Sequence, residues 1–224
     1  MSGSVCPSCH SSRVYRDGMR YTARGPVQAY QCRSCGKKTQ QVGGFAPERV
    51  GYLDIEASGL KSDFGHIISW AVGMKGKGWS YTGLLRERSL AEEKRILTDL
   101  LKVMRSCDRV VTYYGTRFDL PFITSRAVYH GLKPLEYGEV AHTDLYFVAR
   151  HKLATLSSKR LANVTRLFGI KGKTPLDPEV WVAASFGDKK AMRYILKHNI
   201  ADVKILEKLD EQLEPYYKLV RRSA

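Results

Sequence analysis

VGYLDIE, residues 50–56, is an apolar segment that ends in two acidic residues. Its length and the Ser-Gly turn that follows predict a buried strand over residues 49–55. Side chains two positions apart in a strand point to the same face, so the carboxylates of Asp54 and Glu56 should meet at the end of this strand. Carboxylates this close repel each other unless a cation lies between them. An Asp-x-Glu pair also occurs in solvated loops, but its place at the end of a buried strand favours a metal site.

Segments further along the chain carry the periodicity of strands and helices. The predicted strands cover residues 66–74, 79–85, 109–114 and 141–143. The predicted helices cover residues 91–104, 118–130 and 189–213, the last within a region from residue 157 onward that should be helical almost throughout. Strands interleaved with helices predict an α/β fold, a mixed sheet flanked by helices.

Two more carboxylates occupy positions that chemistry could use. Asp119 follows a predicted strand and a Gly turn, and it begins a helix, where an N-cap is the ordinary role of Asp. Asp202 comes four residues after His198, so the two share one helical face. Each of the two residues, taken alone, has an ordinary structural explanation.

Together, three segments resemble the sequence motifs of a nuclease family. YLDIEASGL (52–60), YYGTRFDLPFITSRA (113–127) and HNIADVKILEKL (198–209) are similar to the three motifs of the DEDD 3′–5′ exonucleases of the ribonuclease H-like superfamily, in the same order. LSSKRLANVTRLFGIKGKT (156–174) is similar to the stretch before the third motif in the branch with family-B polymerase proofreading domains and YprB-like proteins. The resemblance spans residues 49–217 and implies a ribonuclease H-like domain.

The resemblance also implies a two-metal active site with Mg²⁺ or Mn²⁺ as the ions. By the family pattern, Asp54 would bridge both ions, and Glu56 and Asp202 would complete the site of the ion that carries the nucleophilic water. Asp119 would hold the second ion. Carboxylate oxygens are the ligands that these hard cations prefer. Two such ions can activate a water and stabilise a leaving 3′ oxygen.

His198 departs from the family pattern. One branch of relatives has Tyr four residues before the last Asp and the other has His five residues before it, whereas this chain has His at the tyrosine spacing and Lys197 five before. A histidine suits general-base work near neutral pH. The alternatives are a surface histidine with no catalytic part, or Tyr194 in its place.

The resemblance suggests three substrate contacts. Leu60 matches an apolar residue that wedges against terminal bases in relatives, and Tyr114 stands where relatives often have Asn. Tyr114 and Phe118 flank Asp119 and offer rings on which unpaired bases can stack. Each of the three could instead be a core residue. Asp144, after the predicted strand 141–143, is either a helix cap or a support for the site.

The N-terminal 45 residues form a separate region with two Cys-x-x-Cys pairs. The pairs are separated by 22 residues, a spacing that predicts four-thiolate coordination of one structural Zn²⁺. The segment resembles the zinc ribbons of transposases and other DNA-handling proteins. We therefore predict a zinc ribbon over residues 1–45 and a nuclease domain over residues 46–224, with His10 as a bystander and Cys107 buried in a core. The predicted zinc ligands are Cys6, Cys9, Cys32 and Cys35.

The charge balance predicts a polyanionic partner. The chain has 37 Lys and Arg against 22 Asp and Glu, a net charge of +15, which suits nucleic acid, with DNA favoured over RNA. A solvated basic surface is the alternative. The sequence shows neither a membrane span nor a signal peptide, so we expect an intracellular protein, cytoplasmic or nucleoid-associated. The leading hypothesis is a 3′–5′ exonuclease. A degenerate nucleic-acid-binding module and a structure-specific endonuclease stay open.

Overall fold

The computed structural model describes residues 6–22, 25–39, 48–172, 174–175 and 177–218. The chain separates into two compact units that divide between Glu48 and Arg49. The domain boundary predicted at residues 45 and 46 lies outside the described residues. Within the described residues, no helix combines the length and the apolar character that crossing a membrane requires.

The N-terminal unit is a small antiparallel sheet. Its strands, in spatial order, are β1 (Val14–Thr22), β2 (Gly25–Cys32) and β3 (Lys38–Thr39). Gly18 lies inside β1 with a positive φ of 78°. The pairing register shifts there, between Arg16 and Met19. The strand therefore continues through a bulge at this position.

The C-terminal unit contains a five-stranded mixed sheet with the spatial order β6-β5-β4-β7-β8. Strand β4 pairs antiparallel with β5 and parallel with β7, and β8 continues the parallel half. This arrangement confirms the predicted α/β fold, a mixed sheet flanked by helices. The strands are β4 (Val50–Ala57), β5 (Ile67–Met74), β6 (Ser80–Leu84), β7 (Arg109–Thr112) and β8 (Ala141–Asp144). The helices are α1 (Leu90–Ser106), α2 (Asp119–Tyr129), α3 (Leu145–Lys152), α4 (Leu161–Leu167), α5 (Pro178–Ser185) and α6 (Lys189–Lys218).

The structure corrects the sequence prediction in three places. Strand β7 ends at Thr112 rather than at Tyr114, because Tyr114 has a left-handed φ of 69° that a strand cannot accommodate. The region from residue 157 onward is not helical almost throughout, since loops separate α4, α5 and α6. Helix α3, at Leu145–Lys152, was not predicted.

Helices cover both faces of the sheet, and β4 contributes to two cores. Leu53 and Ile55 pack into one buried cluster with residues of α1, whereas Tyr52 packs into a second cluster with residues of α6. Strand alternation places Asp54 and Glu56 on the same face as Tyr52, under α6. Cys107 is buried in the first cluster, as predicted for a small apolar residue. Helix α6 therefore lies over the acidic end of β4.

Candidate active site

Asp54 is connected to α6 through buried amide and hydroxyl groups. Asn199 Nδ2 donates a hydrogen bond to Asp54 Oδ2 at 2.6 Å, and Asn199 Oδ1 accepts one from the hydroxyl of Ser69. Ser69 lies directly across from Glu56 in the β4–β5 register. Both Asn199 and Ser69 are fully buried. The amide therefore fixes one oxygen of Asp54 without adding a positive charge.

Asp119 joins α2 to β4. Its Oδ1 accepts a hydrogen bond from the backbone N–H of Ile55 at 3.1 Å. It is the first residue of α2, and the N-cap position belongs to Phe118, whose side chain makes no capping hydrogen bond. The N-cap explanation of Asp119 is thus wrong. Asp119 is buried, and it contacts β4 at Ile55, the residue between Asp54 and Glu56.

His198 is buried between two of the carboxylates. Its Nε2 lies 3.7 Å from Asp202 Oδ2 and 3.9 Å from Glu56 Oε1. Its Nδ1 lies 2.7 Å from the hydroxyl oxygen of Thr174. The imidazole is therefore not a surface group, and Thr174 fixes its orientation. The hydroxyl of Tyr194 donates to the carbonyl of Pro175 at 3.2 Å and is engaged with that loop.

The electrostatics show that the four carboxylates interact. Desolvation, followed by the charges of Glu56, Asp119 and Asp202, raises the pKa of Asp54 well above its usual value, although Asn199 opposes this. Burial raises the pKa of Asp119 to about 7, although the backbone N–H of Ile55 lowers it. Negative charge that is concentrated in this way favours protons or cations. Oxygen donors with such charge fit a hard divalent ion.

The proposed substrate contacts differ in exposure. Leu60 is 79% exposed on the loop after β4, and Tyr114 is 44% exposed. Phe118 packs on the first core cluster, with its ring centroid 5.6 Å from that of Phe122. Leu60 and Tyr114 are accessible to a ligand, whereas Phe118 is mainly part of the core.

Asp144 has two structural roles at the end of β8. Its Oδ1 accepts the backbone N–H of Tyr146 at 3.0 Å as the N-cap of α3, and that of Tyr114 at 2.8 Å. Its Oδ2 accepts the N–H of Thr116 at 2.9 Å. The helix-cap interpretation is right, and the residue also holds the loop that leads to Asp119.

Three polar residues of the site were missed in the sequence: Ser69, Thr174 and Asn199. Asn199 had a usable signal, because it is three residues before Asp202 on the same helix and so shares its face. Ser69 and Thr174 had none, since their contacts depend on strand register and on a loop conformation.

The four N-terminal cysteines come together as predicted. Their Sγ atoms all lie within 4.8 Å of one another, so this cluster can hold a zinc ion. Among the described residues it is the one group of three or more metal-ligating side chains this close, and the four carboxylates are more widely spaced. Although burial raises the pKa of the Cys32 thiol, backbone N–H groups of Cys35 and Ser34 lower it to about 6, which favours the thiolate. The neighbouring Cys9 shifts the other way: although the Ser11 N–H lowers its pKa, the hydrogen bond with the Cys35 thiol and burial raise it.

The two Cys-x-x-Cys turns are alike. The residue after each second cysteine, His10 or Gly36, has a positive φ, of 54° and 73° respectively. The N–H of each donates to the carbonyl of the first cysteine of its pair, at 2.9 Å and 2.8 Å. This turn orients both sulfurs of a pair to one side. His10 is exposed, and its part in the turn is through the backbone.

Comparisons with known proteins agree with this fold. A search of curated proteins gives no match. Among solved structures, the chain is similar to a family B DNA polymerase from the hyperthermophilic archaeon Pyrobaculum calidifontis, with a TM-score of 0.65 and 18% identity. The match covers 88% of this chain and 28% of the polymerase. The sequence profile of the RNase_H superfamily matches residues 51–214, and the chain therefore belongs to the RNase_H superfamily.

Proposed function

We propose that the protein is a metal-dependent 3′–5′ exonuclease that hydrolyses phosphodiester bonds, with single-stranded DNA or DNA 3′ ends as the favoured substrate. Membership of the RNase_H superfamily supports a nuclease in general. The observation that carries the proposal is the convergence of carboxylates from β4, α2 and α6. Asn199 holds Asp54 and the Ile55 N–H holds Asp119. Glu56 and Asp202 lie 3.9 Å and 3.7 Å from His198 Nε2. Neighbouring buried carboxylates favour a bound cation, and ionisable groups perturbed in this way are common at functional sites.

The four carboxylates would hold two Mg²⁺ or Mn²⁺ ions. When bound, such ions supply Lewis acidity for hydrolysis of a phosphodiester. The chain's own contribution is position: Asn199 and Ser69 orient Asp54, and the Ile55 N–H orients Asp119. Neutral donors do this without cancelling the negative charge.

His198 would take the proton from the attacking water at Nε2. That nitrogen faces Glu56 and Asp202, the two carboxylates expected near the water, while Thr174 holds Nδ1. A general base must lie within reach of the proton that it removes. The His198 imidazole is already held beside these two carboxylates. We assign Leu60, Tyr114 and Phe118 to the terminal bases of the substrate, with the exposed Leu60 and Tyr114 as the main contacts.

We also propose that Cys6, Cys9, Cys32 and Cys35 hold one structural Zn²⁺ and that this ribbon assists nucleic-acid binding. The clustered thiols support the zinc site. From Met1 to Arg49 the chain has eight Lys or Arg and two acidic residues, a balance that suits phosphates.

The test of the function is hydrolysis of labelled substrates. We expect the native protein to shorten 5′-labelled single-stranded DNA one nucleotide at a time with Mg²⁺ or Mn²⁺, and to do nothing in EDTA. Parallel reactions with duplex DNA and RNA define the substrate. Products cut internally would indicate the endonuclease, and binding without hydrolysis would indicate the degenerate module.

Asp54→Ala and Asp202→Ala should abolish hydrolysis but keep the fold and most of the affinity, because affinity comes largely from phosphate contacts. Glu211→Ala is the matched control, since Glu211 is an exposed acid on the same helix as Asp202. Substantial activity in purified Asp54→Ala would refute the carboxylate assignment.

A further inference from the structure

Three tyrosines line a cavity beside the candidate active site. Its volume is about 450 Å³, a size typical of small-ligand pockets. It is lined by Tyr113, Tyr114, Tyr146, Ser157, Lys159, Arg160 and Leu161.

The rings meet edge to face rather than stacked. The ring centroid of Tyr146 is 4.7 Å from that of Tyr114 and 5.9 Å from that of Tyr113, with interplanar angles of 75° and 87°. No two of these rings cover each other face to face, and Tyr114 is 44% exposed. A flat ligand can therefore stack on a tyrosine face inside this cavity.

Tyr114 is held in an unfavourable backbone conformation. Its φ is 69°, a region that residues other than Gly, Asn and Asp rarely adopt. Asp144 fixes this conformation by accepting the N–H groups of Tyr114 and Thr116 at 2.8 Å and 2.9 Å. A bulky ring kept at such a position indicates a functional constraint.

The segment at Lys159 and Arg160 also lines the cavity and is held in place by hydrogen bonds. The hydroxyl of Tyr113 donates to the carbonyl of Lys159, and the ammonium of Lys159 donates to the carbonyl of Ala154 at 2.9 Å and to that of Leu156. The charge of Lys159 is thus engaged with the turn after α3. Arg160 is exposed, and its guanidinium is the cation placed to meet an anion at this pocket.

The cavity lies at the same edge of the sheet as the carboxylates. Strands β4, β7 and β8 are parallel, so their carboxyl ends share an edge. Tyr114 and Asp119 both follow β7. Asp144, which accepts the N–H of Tyr114, also adds to the effect of burial in raising the pKa of Asp119. A strand whose end lies at the carboxylates can therefore reach the cavity.

We infer that this cavity is a binding pocket for one unpaired nucleobase of the substrate strand, with Arg160 at a neighbouring phosphate. The inference rests on the proposed function, and it names a part of the substrate site that lies outside the four carboxylates. Aromatic faces bind bases of any sequence by stacking. A base inside a duplex is already stacked and paired, so entry here requires a single strand.

The test measures binding of the full-length protein in EDTA, where no hydrolysis occurs. The probes are a 5′-fluorescein deoxyoligonucleotide and a series with one abasic site at each successive position from the 3′ end. We expect one abasic position to weaken binding on the order of 5- to 100-fold, the range that stacking of one base provides. Tyr146→Ala should weaken binding of the intact strand by a similar factor and should no longer distinguish that abasic strand.

Further variants separate stacking from folding. Tyr114→Asn removes the ring but tolerates the left-handed backbone, so it should behave like Tyr146→Ala. Tyr146→Phe keeps a ring and should keep the discrimination. Arg160→Gln should reduce the slope of log affinity against log salt by about 0.7. Tyr137→Ala is the control, because Tyr137 is fully exposed and does not line this cavity.

The pocket is refuted if every abasic position affects the wild type and both tyrosine variants equally. This result is distinguishable from failure of the proposed function. If the protein discriminates the abasic strand but hydrolyses no substrate, the base pocket is supported and the exonuclease function is refuted. If it hydrolyses DNA without discriminating any abasic strand, the exonuclease function is supported and the base pocket is refuted.

Discussion

At the residue scale, two carboxylates of the candidate site are oriented by neutral donors. Asp54 accepts from the amide of Asn199, and Asp119 accepts from the backbone N–H of Ile55. A neutral donor lowers the free energy of the ionised carboxylate less than a lysine or arginine does, so the charge stays available to a cation. The orientation of these two carboxylates therefore depends on small neutral groups of the chain.

The first residue-scale prediction concerns His198. A shift from five to four residues before Asp202 rotates a helical side chain by about 100°, so His198 should approach the site as tyrosine does in other relatives. His198→Tyr should keep appreciable activity, whereas His198→Ala should lose on the order of 10²-fold or more in rate. The measurement is single-turnover hydrolysis as a function of pH, in which His198→Ala should lose the rise near neutrality.

His151→Ala is the control for this series, since His151 is an exposed histidine on α3. Melting temperatures would show whether His198→Ala still folds, because the imidazole is buried. A fully folded His198→Ala variant with nearly wild-type rate and an unchanged pH profile would make His198 a bystander.

The second residue-scale prediction concerns stability without metal. Burial raises the pKa of Asp119 from 3.8 to about 7, with a further contribution from Asp144. The folded chain thus binds more protons than the unfolded chain between these values, and the contribution of Asp119 to stability is present below about pH 4 and lost as the pH rises to 7. In EDTA, the melting temperature of the wild type should fall more steeply over this window than that of Asp119→Asn.

Mg²⁺ or Mn²⁺ should raise the melting temperature of the wild type near pH 7, because the ions bind the folded state. Asp54→Asn should melt higher than the wild type in EDTA, since it removes like-charge repulsion, and should gain less from the ions. Equal pH slopes for wild type and Asp119→Asn, with no stabilisation by either ion, would contradict the metal-site assignment.

At the scale of secondary-structure elements, α6 organises the site. Its placement on the sheet is fixed by two buried contacts with β4: Tyr52 donates to Asp210 at 3.0 Å, and Asp54 accepts from Asn199. Buried polar groups must be hydrogen-bonded, and a shift of α6 along the sheet would break both contacts. The two contacts therefore fix the position of the helix on β4. The same helix then presents His198 and Asp202 to the end of β4.

The elements near the site could be predicted from sequence to the extent that their periodicity is regular. The apolar run 50–56 predicts β4 and, by strand alternation, the shared face of Asp54 and Glu56. The order of the strands and the position of α6 could not be predicted this way, because they depend on packing between distant segments. Tyr114 shows the other limit: Gly115 indicates a turn here, but the left-handed backbone of Tyr114 depends on a hydrogen bond to the distant Asp144.

At the scale of the whole molecule, the charge and the two units suggest a division of work. The net charge of +15 attracts phosphates to the chain as a whole. The carboxylates, however, would repel a polyanion without bound cations. Affinity should therefore come from basic surfaces, including those of the N-terminal unit, and turnover from the C-terminal unit.

The last prediction tests this division through zinc. The natively purified protein should contain one zinc, and Cys32→Ala should lose it, because a tetrahedral site needs all four thiolates. The N-terminal unit is small, so loss of the metal should unfold it. Nucleic-acid affinity should then fall, while the single-turnover rate at saturating substrate stays close to wild type. Elemental analysis and binding titrations at several salt concentrations measure both effects.

Cys107→Ala is the matched control, since Cys107 is a buried cysteine of the C-terminal core and lies outside the thiol cluster. It should keep the zinc and the affinity, although it creates a small cavity. Deleting residues 1–45 should reproduce the affinity loss of Cys32→Ala, because both remove the same binding surface. An affinity unchanged at moderate salt in both variants would disprove recruitment by the N-terminal unit, and native protein free of zinc would disprove the metal site. If instead the single-turnover rate collapsed together with the affinity, the N-terminal unit would have to act on the bound substrate at the carboxylates, and the division of work would be wrong.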